Sequence, residues 1–192
     1  MRKGTVVRKT HETSIELKLN LDGSGITKID TGVGFLDHML TLFGFHGGFD
    51  LEVKCQGDLK VDTHHTAEDI GIALGQAFKQ ALGTKKGIER YGFIYLPMDE
   101  ALARVVVDFS GRPYLVYKLD FNRNTLGEMA TEDFKEFFRG FANNSLCTLH
   151  IDMLEGENDH HKIEAVFKGF GRALRKAVEI TSDSLQSTKG VL

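Results

Sequence analysis

Cysteine is scarce in this sequence: Cys55 and Cys147 are the only two, and both lie in apolar stretches. That excludes a disulfide-stapled scaffold and reads as ordinary core thiols, since disulfides are rare in reducing compartments. Long apolar runs are missing too, none approaching the roughly 20 residues that a membrane-spanning helix needs. The opening Met1-Arg2-Lys3-Gly4-Thr5-Val6-Val7 has no apolar segment of the kind a secretory leader carries. Nor is there an excess of positive charge. The formal net charge is −3, which argues against a nucleic-acid partner. These absences make a cytoplasmic protein with no membrane attachment the expectation. The chain of 192 residues, 41% apolar and 27% charged, suffices for one sizeable domain or two small ones.

What the sequence does contain is a duplication. His64-His65-Thr66-Ala67-Glu68 recurs as His160-His161-Lys162-Ile163-Glu164, displaced by 96 residues, and the match continues at Gly75/Gly171 and Ala77/Ala173. Upstream, Asp37-His38-Met39-Leu40 followed by Leu51-Glu52-Val53 pairs with Lys135-Glu136-Phe137-Phe138 followed by Leu149-His150-Ile151, displaced by 98. Two copies at so long a period indicate a duplicated half-domain rather than a solenoid. The expected halves are residues 1–92 and 93–180, with the seam near Tyr91 to Pro97 and a small, polar tail at 181–192 that is either frayed or recruited to a site.

Each half has the same local grammar. Thr13 to Leu19 and Ala103 to Phe109 alternate with the period of half-buried strands. Helical spacing follows at Gly34 to Phe45 and at Thr131 to Ala142, then short strands at Phe49 to Cys55 and Leu146 to Met153. Each half ends on a longer helix, capped by Asp62 or Thr63 in the first and by Asn158 or Asp159 in the second. Ile70, Leu74, Ala77, Phe78 and Ala81 form the apolar stripe of one long helix; Ile163, Val166, Phe167, Phe170 and Leu174 form that of the other. The fold class expected is α+β, a two-layer α/β arrangement of tandem β-β-β-α-β-α halves, each a sheet with helices on one face.

The chemistry resides in the repeated motif. Residues four apart on a helix share a face, so His64 projects with Glu68 and His160 with Glu164. The adjacent His65 and His161 are rotated by about 100° and point to a second ion. Two such helices, with His38 and Glu136 at matching positions of the shorter helices, predict two metal sites. One would use His64, Glu68, His161 and Glu136; the other His65, His38, His160 and Glu164. Imidazole and carboxylate without thiolate favour Mn²⁺ or Fe²⁺ with positions left for substrate, Zn²⁺ being the alternative. At this level a dinuclear hydrolase and a metal-storage or assembly protein remain open, as does whether the halves meet within a chain or between chains.

Longer segments narrow this. Gly32-Val33-Gly34-Phe35-Leu36-Asp37-His38-Met39-Leu40, Asp62-Thr63-His64-His65-Thr66-Ala67-Glu68-Asp69, Pro97-Met98-Asp99-Glu100, Asp108-Phe109-Ser110-Gly111-Arg112-Pro113 and Ser187-Thr188-Lys189-Gly190-Val191 resemble the imidazoleglycerol-phosphate dehydratase family, from about Glu12 onward. The resemblance implies two Mn²⁺ per subunit, the ligand sets above, a left-handed β-α-β crossover against the usual hand, and assembly through trimers into a 24-subunit cage with metal sites at subunit boundaries. It departs at Glu136, a histidine in some members, and at Ser187-Thr188-Lys189, where a double serine is more common.

The implied reaction removes water from imidazoleglycerol phosphate to give imidazole acetol phosphate. The proton to be removed lies on a carbon without a neighbouring carbonyl, so a base alone faces a high barrier; two metals holding the ring as an imidazolate would let its electrons expel the hydroxyl. The resemblance places Glu12 as general base and His46 as an assisting catalytic group. It puts His38, His64, His65, Glu68, His160 and Lys168 against the substrate. Arg90, Arg112, Ser187, Thr188 and Lys189 would hold the phosphate, and Asp99 or Glu100 could orient a ligand histidine.

Overall fold

A computed structural model describes residues 1–192. The first half runs β1 (Lys3–Lys9), β2 (Thr13–Asn20), β3 (Thr27–Asp30), α1 (Gly34–Gly47), β4 (Asp50–Gly57) and α2 (His64–Leu82). The second runs β5 (Tyr91–Met98), β6 (Ala101–Asp108), β7 (Tyr114–Lys118), a small hairpin β8 (Thr125–Leu126) and β9 (Met129–Ala130), α3 (Asp133–Ser145), β10 (Thr148–Glu155) and α4 (Asp159–Ala177). The expected β-β-β-α-β-α order therefore occurs twice, with the β8–β9 hairpin as an unanticipated insertion. β5 opens the second sheet, so a boundary between residues 92 and 93 cuts a strand; by strand pairing the second half starts at Tyr91.

The two sheets have the same topology. Their orders are β1-β2-β4-β3 and β5-β6-β10-β7, each with two antiparallel pairings and one parallel edge pairing, β3 on β4 and β7 on β10. Strict alternation buries one face: Ile15, Leu17 and Leu19 of β2, and Ala103, Val105 and Val107 of β6. Helices cover those faces, and the two helical layers meet, α1 against α4 and α2 against α3. One core of 47 buried residues results. At its centre Phe170 stands 5.1 Å from Phe43 and 4.8 Å from Phe141, and Phe78 lies 5.3 Å from Phe141, so aromatic rings from both halves interlock. Cys55 and Cys147 are buried free thiols, and burial pushes each up to about 12. No helix is long and apolar enough to cross a membrane.

Two glycines set how closely the helical layers approach. A Cβ on Gly75 of α2 would sit 2.6 Å from the Phe141 carbonyl oxygen of α3, and one on Gly171 of α4 would sit 2.4 Å from that of Phe43 of α1. These are the repeat-related glycines of the sequence, facing repeat-related phenylalanines.

Helix starts also follow the sequence. Asn158 caps α4, its side-chain oxygen accepting the N–H of His160 (2.9 Å) and His161 (3.4 Å). Asp62 accepts the N–H of His64 at 2.9 Å, while the Thr63 hydroxyl is used elsewhere, donating to Asp133 at 2.5 Å and accepting from the Ala130 N–H. The start of α1 has no local cap; the Gly34 N–H donates to Glu128 at the tip of the β8–β9 hairpin.

Gly171→Ala should lower stability by about 1–3 kcal/mol through overpacking, although alanine alone favours a helix by about 1 kcal/mol. A urea midpoint that stays level or rises would show that the layers are not in close contact. Asn158→Ala should cost about 1 kcal/mol and speed amide exchange at residues 160–162 rather than across the core; uniform protection would refute the capping role.

Candidate active site

The α1–α4 contact brings three predicted ligands together. His38 lies on the first turns of α1, and His160 and Glu164 one turn apart on α4. His38 Nε2 is 2.8 Å, and His160 Nε2 3.2 Å, from the same oxygen, Oε1 of Glu164. This is the one group of three or more imidazole, thiolate or carboxylate donors close enough together to share an ion. Glu164 is 7% exposed and its other oxygen accepts from Lys168 Nζ at 2.6 Å. Burial pushes this carboxyl up, but hydrogen bonds from Lys168, His38 and His160 outweigh that and hold it at about 2. Two ring nitrogens converging on an ionised oxygen is a donor set that suits a divalent cation.

The repeat-related helices, α2 and α3, carry the second set less fully assembled. His64 Nε2 is 3.7 Å from Glu68, and its Nδ1 is 3.4 Å from buried Asp133. Burial raises the Asp133 carboxyl against the hydrogen bond from Thr63 and the neighbouring His64. Glu136 is paired instead with Arg139, one turn on, at 2.7 Å.

Neither predicted quartet closes within one chain. His65 does not join His38, His160 and Glu164, and His161 and Glu136 do not join His64 and Glu68. The reason is the rotation between adjacent helical residues, which turns each second histidine toward its own sheet. His65 Nδ1 is held by Asp58, past the end of β4, at 3.0 Å, and its Nε2 lies 3.6 Å from Glu12 in the β1–β2 turn. His161 Nδ1 is held by Glu100, in the β5–β6 turn, at 2.7 Å, with Asp99 3.8 Å from Nε2. A carboxylate only accepts, so each Nδ1 carries a proton, and Nε2 is the nitrogen that a neutral ring would offer to an ion. The Asp58 and Glu100 hydrogen bonds raise the two histidines. Glu100 in turn is pulled to about 2, first by His161 and then by the Asn158 N–H.

The remaining predicted residues lie in two further places. His46, near the end of α1, lines a cavity of about 560 Å³ with Arg2, Asp22, Arg172, Arg175 and Lys176; burial and then the charges of Lys168 and Arg172 lower its pKa. Arg90 is gripped by Asp108, Nε at 2.7 Å and a second nitrogen at 3.1 Å, and donates to the Gln186 carbonyl at 2.7 Å. That bond and the Ser184 carbonyl on the Gly87 N–H dock the tail along residues 87–90. Farther along the tail, the Ser187 hydroxyl donates to the Val191 carbonyl and also accepts the Lys189 N–H, with Thr188 between them, while the Leu192 carboxyl end reaches Gly111, next to Arg112. No hydrogen bond or ion pair joins this basic group to either histidine cluster within the chain.

The sequence gives no sign of the roles of Asp58 and Asp133, and it offers Asp108 only within the segment that leads to Arg112. Each acts through another residue and none belongs to the repeated motif; only the strand ends and helix starts that the fold brings together reveal them.

Comparison with known proteins places this geometry. The sequence model of a family described as imidazoleglycerol-phosphate dehydratase matches residues 31–174. The chain is 60% identical over 192 residues to an imidazoleglycerol-phosphate dehydratase of Clostridioides difficile, covering all of both chains. It is 56% identical over 195 residues to one of Chromobacterium violaceum, covering 100% of this chain and 99% of the other. Among solved structures, imidazoleglycerol-phosphate dehydratase from Staphylococcus aureus aligns with a TM-score of 0.85 at 45% identity, covering 93% of this chain and 99% of that one. The Pyrococcus furiosus enzyme aligns with a TM-score of 0.85 at 40% identity, covering 97% and 100%. The chain thus belongs to the imidazoleglycerol-phosphate dehydratase family, hydro-lyases of histidine biosynthesis.

Proposed function

We propose that the chain converts imidazoleglycerol phosphate to imidazole acetol phosphate and water in the cytoplasm, using two divalent metal ions per subunit. Mn²⁺ is the favoured ion, with Fe²⁺ and Zn²⁺ as alternatives. The observation that carries the metal reading is the convergence of His38 and His160 on one oxygen of Glu164. His65 completes that set, and His64, Glu68, Glu136 and His161 make up the other. Held by these residues, the ions would supply Lewis acidity that favours the imidazolate form of the substrate ring.

The chain's own groups do the rest. Glu12, half-exposed beside His65, accepts the carbon-bound proton, and His46 assists proton transfer. Lys168 holds Glu164 ionised from behind and lies against the substrate. Arg90 and Arg112, with Ser187, Thr188 and Lys189, bind the phosphate; Asp108 fixes the plane of the Arg90 guanidinium. Since His65 and His161 stand apart from the ligands they complement, the sites close between subunits, which fits assembly through trimers into a 24-subunit cage. Buried free thiols suit a reducing compartment.

Protein stripped by chelator should be inactive toward imidazoleglycerol phosphate and regain turnover with Mn²⁺. Absence of turnover with metal demonstrably bound would sink the lyase reading, and hydrolysis of phosphate esters lacking an imidazole ring would favour a dinuclear hydrolase. His65→Ala should abolish activity and shrink the assembly in light scattering; a fully active variant of unchanged mass would remove His65 from the ligand set. Glu100→Gln should weaken metal binding by about 10–100-fold, read by competition with a chromophoric chelator, and unchanged affinity would show that His161 needs no orienting partner.

A further inference from the structure

The duplication supplies an internal comparison at the hairpin that opens each sheet. Ile15 of β2 lies opposite Cys55 of β4, and Ala103 of β6 lies opposite Met153 of β10, so these are matching positions. Counting back along β2 and β6, Thr13 matches Ala101, and Glu12 matches Glu100. Arg8 lies opposite Ile15, and Leu96 opposite Ala103, so Arg8 matches Leu96. On the long helices, where His64 matches His160, Asp69 matches Ala165.

In the first half these positions form a polar clamp. The Thr13 hydroxyl and Arg8 Nη1 both donate to Oδ2 of Asp69, the latter at 2.6 Å. Thr13 is 3% and Asp69 6% exposed. In the second half the same joint is apolar: Ala101 and Ala165 are buried and Leu96 packs against the core. The fold therefore closes this joint without polar groups. Burying a carboxylate and a hydroxyl gives no advantage over apolar groups of matching shape, so the clamp is to be explained by what it holds.

It holds the turn that carries Glu12. Thr13 follows Glu12 directly, and Thr10 Oγ1 accepts both their N–H groups, at 3.1 and 3.0 Å. The two glutamates are also committed differently. Glu100 is occupied by His161 Nδ1 and by the N–H groups of Glu157 and Asn158. In the first half Asp58 takes the matching nitrogen of His65. Glu12 is then left half-exposed on the side of Nε2, with no hydrogen bond to its carboxylate.

We propose that Arg8, Thr13 and Asp69 are positioning residues that fix Glu12 beside His65, so that one copy of a duplicated hairpin presents a carboxylate to the substrate while the other copy orients a histidine. This rests on the reading of Glu12 as proton acceptor.

The test is steady-state kinetics on Mn²⁺-loaded, assembled enzyme, with metal content and particle mass measured alongside. Thr13→Val removes the hydroxyl at nearly constant shape. It should lower kcat by about 10–100-fold, as a misplaced reacting group does, with KM, metal content and mass unchanged; Thr13→Ser should restore the rate. The triple change Arg8→Leu, Thr13→Ala, Asp69→Ala copies the second half, and should keep the melting temperature while losing kcat. In a Glu12→Gln background Thr13→Val should have no further effect. Full kcat in both Thr13→Val and the triple variant, with Glu12→Gln inactive, overturns the clamp alone. Full turnover by Glu12→Gln overturns the proton-acceptor reading, and the clamp with it. Lost metal in Thr13→Val with normal kcat per metal bound would make the clamp a support of the metal site and overturn the proposal.

Discussion

The close approach of the two helical layers is the constraint on which the rest of the molecule depends. Gly75 and Gly171 leave room for the carbonyls of Phe141 and Phe43, and that clearance sets α2 on α3 and α4 on α1. The phenylalanine cluster then fills the space between the halves. Its burial is worth about 1.5–3 kcal/mol per side chain, so the layers are driven together while the glycines fix how near they come. The donor cluster follows from the same contact, since His38 comes from one half and His160 and Glu164 from the other. Close-packed interiors transmit small displacements; a shift of the layers by a fraction of an ångström would open the 2.8 and 3.2 Å contacts on Glu164.

Much of this was legible in the sequence because it is periodic or repeated. Alternation in Thr13 to Leu19 and the stripe through Ile163, Val166, Phe167, Phe170 and Leu174 are local signals, and the strands and helices lie where those signals put them. Asp62 and Asn158 were readable as caps because capping is chemistry between near neighbours. The matching of His38 with Glu136 drew the shorter helices into the expected ligand sets; His38 lies with His160 and Glu164, while Glu136 pairs with Arg139. What stayed hidden was non-local. The β8–β9 hairpin has strands of two residues, too short for any period, and its reason for existing, Glu128 on the Gly34 N–H, lies in the other half. The helical rotation between His64 and His65 predicted that each motif is shared between two sites. It could not show that Asp58 and Glu100 would claim the second histidines, because those carboxylates arrive from a strand end and a turn.

The near-symmetry of the halves also shows how environment, rather than residue type, divides the work among carboxylates. Glu164 is buried, yet three donors keep it ionised. Asp133 is buried at the start of α3 with fewer compensating donors, and its carboxyl is raised. Glu100 is exposed and fully hydrogen-bonded, which suits it to steady a histidine and leaves it a weak base. Glu12 occupies the matching turn but lacks those partners, so its carboxylate is not committed to a neighbouring donor. On the proposed reading of Glu12 as proton acceptor, hydrogen bonds like those on Glu100 would orient it but occupy the oxygens that take the proton. On that reading the base has to be held through its backbone and its neighbours instead, and the proposed Thr13–Asp69–Arg8 joint would do so without touching the carboxylate.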